Sequence, residues 1–213
     1  MEGLKLQTLH GLASAKIKRQ LPRSSYWAIA QDIIRKTGIH DGKCLEIYGG
    51  NGSFGIAMAQ ITSMKVCLLE STESILKHVS LNLKQNDLDH QIHVIKGTVQ
   101  QIPLHDHSMN LIVCRKSIFH WHNQTKAFQE IYRVLAPDGV AYIGDDSWNH
   151  DKWRITENKL EQRQPNLTEQ LNEIWRQRTE NIKQKIIQAG IFSFEMNDDE
   201  GLRIIIRHPS RLF

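Results

Sequence analysis

Glu46, followed by Gly49, Gly50, Gly52 and Gly55, is the arrangement in this chain with the most chemical content. An acid ends a short apolar run, a glycine-rich turn follows, and an apolar helical pattern opens, all within Lys43 to Ala59, KCLEIYGGNGSFGIAMA. Glycines let a backbone approach a ligand without a Cβ in the way, and the unpaired N–H groups of a first helical turn favour an anionic or strongly polar group. Gly50-Asn51-Gly52-Ser53-Phe54-Gly55 is a literal G-x-G-x-x-G, the pattern of dinucleotide sites, but the string alone does not choose a ligand. Glu46 bears on that choice. A pyrophosphate is already anionic and has no need of a carboxylate beside it, whereas S-adenosylmethionine brings an α-ammonium and a sulfonium that a carboxylate would attract. Glu70, at the end of the next apolar run from Lys65, stands at the distance expected of an acid that takes ribose hydroxyls. Both cofactor classes use such a residue, so an NAD(P)-dependent oxidoreductase stays open as an alternative.

Histidine is the other source of chemistry, with eleven in the chain. His105, His107, His120, His122 and His150 raise the question of a metal site or a general base. His105 and His107 precede the fourth predicted strand and belong at the bottom of a sheet, whereas His120 and His122 follow it and belong nearer the strand tips. One cluster is therefore not expected, and no metal is assigned. His105 and His107 read as an exposed polar loop. His120 and His122 are the residues to test as a base if an acceptor must lose a proton near neutral pH, against a packing or surface role. Asp145 and Asp146 could attract a divalent cation, but without a third ligand of known spacing they read as capping or solvated residues. Cys44, Cys67 and Cys114 each fall in a predicted strand and read as buried thiols, with no C-x-x-C pair to suggest zinc.

These residues need elements to position them, and the chain supplies alternating strands and helices, the pattern of a mostly parallel sheet covered on both faces. Ser24 or Ser25 caps a predicted helix through Tyr26, Trp27, Ile29, Ile33 and Ile34, which Gly38 ends. Strands are expected near 43–47, 65–69, 92–96, 111–114 and 140–143. Ile75, Val79 and Leu83 recur at helical spacing, as do Phe128, Ile131 and Leu135, with Pro137-Asp138-Gly139 as the stop. Asn166 and Glu169 resemble a capping box for a long helix carrying Leu167, Leu171, Ile174, Ile182 and Ile186, which Gly190 ends. The segments 191–196 and 202–207 flank Asn197-Asp198-Asp199-Glu200-Gly201 and predict an antiparallel hairpin.

Four segments in order, Glu46-Ile47-Tyr48-Gly49-Gly50-Asn51-Gly52, LLES to Ser71, IKGTVQQIPLHDHSMNLIVCRKSIFHW to Trp121 and AFQEIYRVLAPDG to Gly139, are spread over roughly half the chain, from Glu46 to Gly139. Together they resemble the Rossmann-like, small-molecule branch of the S-adenosylmethionine-dependent methyltransferases. The resemblance implies an α/β sandwich with a mostly parallel seven-stranded sheet, an antiparallel C-terminal hairpin and helices on both faces. It implies in-line methyl transfer from S-adenosylmethionine to a small-molecule acceptor, leaving S-adenosylhomocysteine. By position, Glu46, Tyr48, Gly49, Gly50 and Gly52 would line the methionyl and ribose side. Glu70, with Ser71 beside it, would take the ribose, Thr98 and Val99 would face the adenine, and Arg115 would lie near the methionine and the acceptor. The helix before the first strand tends to cover the site in such proteins, which puts Tyr26 at the cofactor. For Trp27 a core role is favoured, and Trp121 either packs in the core or faces the pocket. Tyr48 stands where a glycine is usual, Thr98 where an acid usually meets the adenine amino group, Asn110 where an aspartate is usual, and Asp138 in place of a glycine of the Pro-Gly-Gly turn. These departures leave open a catalytically silent relative that keeps the fold as a binding or regulatory protein.

Composition fits this reading. The chain has 213 residues, 40% of them apolar and 23% charged, enough for one α/β domain with a full core. Residues 1–213 are read as one domain, with 1–38 as an N-terminal helical cap and 39–213 as the Rossmann-like core. The net charge of +4 comes with no basic block, so no nucleic-acid partner is expected. No run of about 18 apolar residues predicts a membrane span, and the N-terminus lacks a signal-peptide apolar core. A cytoplasmic monomer or homodimer is the expectation.

Overall fold

The structure, a computed structural model, describes residues 23–85, 87–145, 165–198 and 201–210. The expectations placed on Asp146 and His150 lie outside these residues. In chain order the elements are α1 (Arg23–Thr37), β1 (Lys43–Ile47), α2 (Ser53–Ile61), β2 (Lys65–Glu70), α3 (Glu73–Gln85), β3 (Ile92–Lys96), β4 (Met109–Arg115), a 3-10 turn (Ile118–His120), α4 (Gln124–Val134), β5 (Leu135–Asp145), α5 (Pro165–Gln188), β6 (Phe194–Asn197) and β7 (Leu202–Arg207). The strands form one sheet in the order β3-β2-β1-β4-β5-β7-β6. β1 to β5 run parallel, and β7 pairs antiparallel with both β5 and β6.

Each central strand reads as a nearly unbroken apolar run because both of its faces are covered. On one face Ile33 of α1, Phe54, Ala57 and Met58 of α2, and Val79 and Leu83 of α3 pack against Val66, Leu68, Leu111 and Val113. On the other, Phe128 and Ile131 of α4 and Ile182 and Ile186 of α5 pack against Leu45, Ile47, Ile112, Ile143 and Ile204. The strand order reverses between β1 and β4, and the crevice at such a reversal, outside the carboxyl ends of the strands, is where open α/β sheets bind ligands. Among the described residues, no helix is long and apolar enough to cross a membrane.

Several local expectations change. Pro137-Asp138-Gly139 does not stop a helix that includes Leu135: α4 ends at Val134 and the triplet lies inside β5, where the register against β4 shifts between Met109 and Leu111. Asp138 takes a left-handed φ of 60°. Its N–H donates to the His208 carbonyl and the His208 N–H donates to the Gly139 carbonyl, so a partner beyond β7 satisfies the bulged backbone and the strand continues. Ser24 and Ser25 fall inside α1 instead of capping it, and Asn166 falls inside α5. Trp27 is 46% exposed rather than in the core, because its indole N–H reaches out to Gln60 at 3.0 Å. All three cysteines are free thiols; Cys44 and Cys114 are buried and Cys67 is half-buried. His105 and His107 are exposed in the loop before β4.

Candidate functional site

The loop between β1 and α2 is built from alternating left-handed residues, Tyr48 (φ 55°), Gly50 (66°) and Gly52 (74°). That alternation turns the backbone back on itself directly over the tip of β1, and Gly52 then starts α2. The glycines divide the work. A Cβ on Gly49 would overlap the Glu46 carboxylate, and one on Gly55 would meet both Leu68 and Glu46, so these two glycines make room for the acid. Gly50 has nothing within 4 Å of where its Cβ would stand and leaves open space above the loop.

Glu46 is buried. The Gly55 N–H donates to its Oε2 at 2.9 Å. Burial pushes its pKa up to about 7, against the pull of the Arg115 charge and the Gly55 N–H and with a further push from Glu70. A carboxylate held this way gains from a cationic ligand group in two respects, as charge partner and as hydrogen-bond donor. Glu70, at the tip of β2, is also buried. Burial raises its pKa too, offset by the Gly50 N–H that donates to Oε1 at 2.8 Å. The two acids therefore stand at neighbouring strand tips, tied through the glycine loop. Ser71 follows Glu70 and is exposed.

Arg115 ends β4, with its guanidinium carbon 5.8 Å from the Tyr26 ring centroid and 5.5 Å from that of Phe54, distances at which a cation is attracted to an aromatic face. Tyr26 of α1 thus lies beside Arg115 at the tip of β4. A cavity of about 340 Å³ adjoins Arg115. It is bounded by Ile29 and Ile33 of α1, Tyr142 and Gly144 of β5, and Leu202 and Arg203 of β7. That volume lies at the lower end of the range for small-molecule sites.

At the tip of β3, Thr98 is exposed and Val99 is buried. The Val99 N–H donates to the Tyr48 hydroxyl at 2.9 Å, so Tyr48 spans from the first strand tip to the third. Its ring packs against the core that holds Leu69, Val99 and Ile118. His120 and His122 are exposed on either side of Trp121. Trp121 itself is a core residue: it is 6% exposed, packs edge-on against Phe128 at 5.6 Å and donates its indole N–H to Ser117 Oγ. It does not line the pocket. Among the described residues there is no group of three or more His, Cys, Asp or Glu side chains that could hold a metal ion.

Three supporting contacts were not foreseen from the sequence. Glu130 and Arg133 of α4 clamp the loop after β3: Glu130 Oε2 accepts from the Ile102 N–H, while Arg133 donates to the carbonyls of Ile102 and Leu104 and to Asp106. The i,i+3 acid–base spacing was visible in the sequence, but the loop it grips was not. Asn82 of α3 donates to the Asn51 carbonyl at 2.9 Å and steadies the glycine loop. Asn110 accepts from the Lys43 N–H at 2.9 Å, so the amide at this departure ties the starts of β1 and β4 together.

The donor set fits S-adenosylmethionine. Glu46 offers a buried carboxylate for an ammonium, no atom stands within 4 Å of where a Gly50 Cβ would lie, and Glu70 offers acceptors for hydroxyls. Known proteins point the same way. The family model described as a methyltransferase domain matches residues 45–143. The chain is 30% identical to a candidate S-adenosyl-L-methionine-dependent methyltransferase of Methanococcus maripaludis whose crystal structure superposes with a TM-score of 0.73, covering 88% of this chain and 86% of that one. It is 27% identical over 120 residues to the ubiquinone/menaquinone biosynthesis C-methyltransferase UbiE of Blochmanniella floridana, which is 55% of this chain and 47% of that protein. It is 46% identical over 65 residues to an uncharacterised methyltransferase of Schizosaccharomyces pombe, 30% of this chain and 22% of that one. The chain thus spans less than half the length of these curated relatives.

Proposed function

We propose, from the premise that this chain belongs to the S-adenosylmethionine-dependent methyltransferase family, that it transfers a methyl group from S-adenosylmethionine to a small-molecule acceptor. The observation that carries the proposal is the buried Glu46 carboxylate held in the glycine loop by the Gly55 N–H, with Glu70 bound to the Gly50 N–H at the next strand tip. The family's cofactor supplies an electrophilic methyl carbon on a sulfonium, and a nucleophile on the acceptor attacks that carbon in line. Such a displacement asks the protein mainly for alignment and exclusion of water. In this reading Glu46 holds the α-ammonium, with Tyr48, Gly49, Gly50 and Gly52 forming the loop around it, and Glu70 with Ser71 takes the ribose. Thr98 and Val99 lie beside the adenine. Arg115 and Tyr26 stand between the cofactor and the cavity under α1, which is read as the acceptor pocket. His120 and His122 are the proton acceptors to test for an acceptor that must be deprotonated; both are exposed, so an acceptor would have to approach from the strand-tip side.

Calorimetric titration with S-adenosylmethionine, S-adenosylhomocysteine and a nicotinamide dinucleotide tests the proposal. Micromolar binding of the two sulfur compounds alone is expected, weakened in Glu46→Gln. Binding of the nicotinamide dinucleotide with indifference to S-adenosylhomocysteine would instead restore the oxidoreductase alternative, which family membership does not favour. Production of S-adenosylhomocysteine with an added acceptor would separate an enzyme from a silent relative. The reading extends to one domain over residues 1–213, a cytoplasmic address and a monomer or homodimer. Cell fractionation and light scattering test the last two.

A further inference from the structure

The strand tips set an order across the sheet: Glu46 and the glycine loop on β1, Glu70 on β2, then Thr98 and Val99 on β3. A nucleoside whose ribose lies at Glu70 and whose charged end lies at Glu46 must carry its base onward to the β3 tip, because the three strands are adjacent and parallel. A purine carries ring nitrogens that accept hydrogen bonds, and the buried Val99 has its N–H at that tip. That N–H is already engaged. It donates to the Tyr48 hydroxyl at 2.9 Å, across 51 residues of sequence. Tyr48 reaches it from a left-handed backbone position, φ 55°, that a bulky residue adopts only under strain.

We propose that the Tyr48 phenol is a displaceable stand-in for the adenine base: its hydroxyl occupies the Val99 N–H, and a nucleoside cofactor binds only by displacing it. In this sense the Tyr48 hydroxyl sets cofactor affinity at the adenine end, apart from the place its backbone takes in the loop around Glu46. The inference rests on the methyltransferase reading. A native N–H can serve one strong acceptor at a time, so each binding event exchanges one hydrogen bond for another and also moves the ring off the core residues it covers. The glycine usual at this position would impose neither step. At the β1 end the Glu46 carboxylate lies against Gly49 and Gly55 and accepts from the Gly55 N–H.

The test separates the two ends of the cofactor. Adenosine, L-methionine and S-adenosylhomocysteine are titrated separately into wild type, Tyr48→Phe and Tyr48→Gly, following binding by chemical shift and calorimetry, together with hydrogen exchange at the Val99 amide. Tyr48→Phe keeps the ring and loses only the hydroxyl, so a folding defect specific to the glycine variant does not remove the test. Both variants are expected to bind adenosine and S-adenosylhomocysteine about tenfold tighter and to exchange the Val99 amide faster when unliganded, and Tyr48→Phe, which changes only the hydroxyl and not the loop around Glu46, is expected to shift adenosine affinity more than L-methionine affinity. Unchanged or weaker adenosine affinity in both variants, with wild type still binding S-adenosylhomocysteine, would overturn the proposal and leave the methyltransferase reading standing. If no variant and no wild-type protein binds S-adenosylhomocysteine or adenosine, the cofactor reading itself fails and this inference falls with it.

Discussion

Glu46 couples stability to function through a single buried charge. Its pKa rises on folding from an ordinary 4.5 to about 7 because it is buried. The folded chain therefore keeps a proton that the unfolded chain has released, and over that window stability falls as pH rises. At pH 8 the ionised acid costs on the order of 3 kcal/mol relative to an unperturbed one. Glu46→Gln is expected to resist urea better than wild type at pH 8 and to show little of that advantage at pH 4.5. An advantage that is the same at both values would contradict the burial argument. The same variant should lose cofactor affinity, since the ammonium loses its charge partner, so stability and binding should move in opposite directions. The neighbouring glycines make a second contrast. Gly49→Ala places a methyl group on the Glu46 carboxylate and should lower stability by about 1–3 kcal/mol through overpacking. Gly50→Ala meets no atom; its left-handed φ should cost only about 1 kcal/mol, while its methyl group enters the ligand's space. Measured side by side, the first should act mainly on the denaturation midpoint and the second mainly on cofactor affinity.

Among the elements, the loop between β3 and β4 depends on α4 for its shape. Arg133 and Glu130 satisfy Ile102, Leu104 and Asp106 together, and Arg133 holds the Glu130 carboxyl below the usual carboxylate range. An acid whose pKa falls on folding contributes stability above its unfolded value, and that contribution is lost as pH falls through the folded one. Arg133→Leu should cost about 2–3 kcal/mol at neutral pH, because it strips charge-assisted hydrogen bonds from a buried partner. Its deficit relative to wild type should shrink on acidification. A constant deficit in chemical denaturation from pH 7 to pH 3 would count against this account. The bulge in β5 offers the opposite kind of change. Asp138 sits at φ 60°, and Asp138→Gly should stabilise the protein by about 1 kcal/mol by removing the steric cost of that conformation. A lowered thermal midpoint would mean that the hydrogen bond from the Ser210 hydroxyl to Asp138 matters more than the backbone.

For the molecule as a whole, β1 and β4 are the strands with a neighbour on each side at the reversal point and helices over both faces. Their amides, Leu45, Ile112 and Val113 among them, should be the slowest to exchange with solvent, and those of the edge strands β3 and β6 faster; equal protection at centre and edge would argue against this ranking. The alternating pattern of apolar strands and helices, the glycine loop and the acids at the ends of the first two strands were determined by the sequence alone. Periodicity and turn chemistry are local properties, and so the parallel sheet, the closing hairpin and the placing of Glu46 and Glu70 could be read from them. Contacts made across the chain were not legible in the same way. Trp27 was expected in the core and Trp121 in the core or at the pocket, yet Trp27 is exposed and Trp121 is core, because which side of an element faces the sheet depends on everything packed around it. The Pro137-Asp138-Gly139 triplet looked like a helix stop and became a bulge, because His208 supplied the partners that let the strand continue. Tyr48 was visible as a departure from glycine, but that its hydroxyl reaches Val99 was decided by the tertiary structure, which brings the tips of β1 and β3 within the length of one side chain.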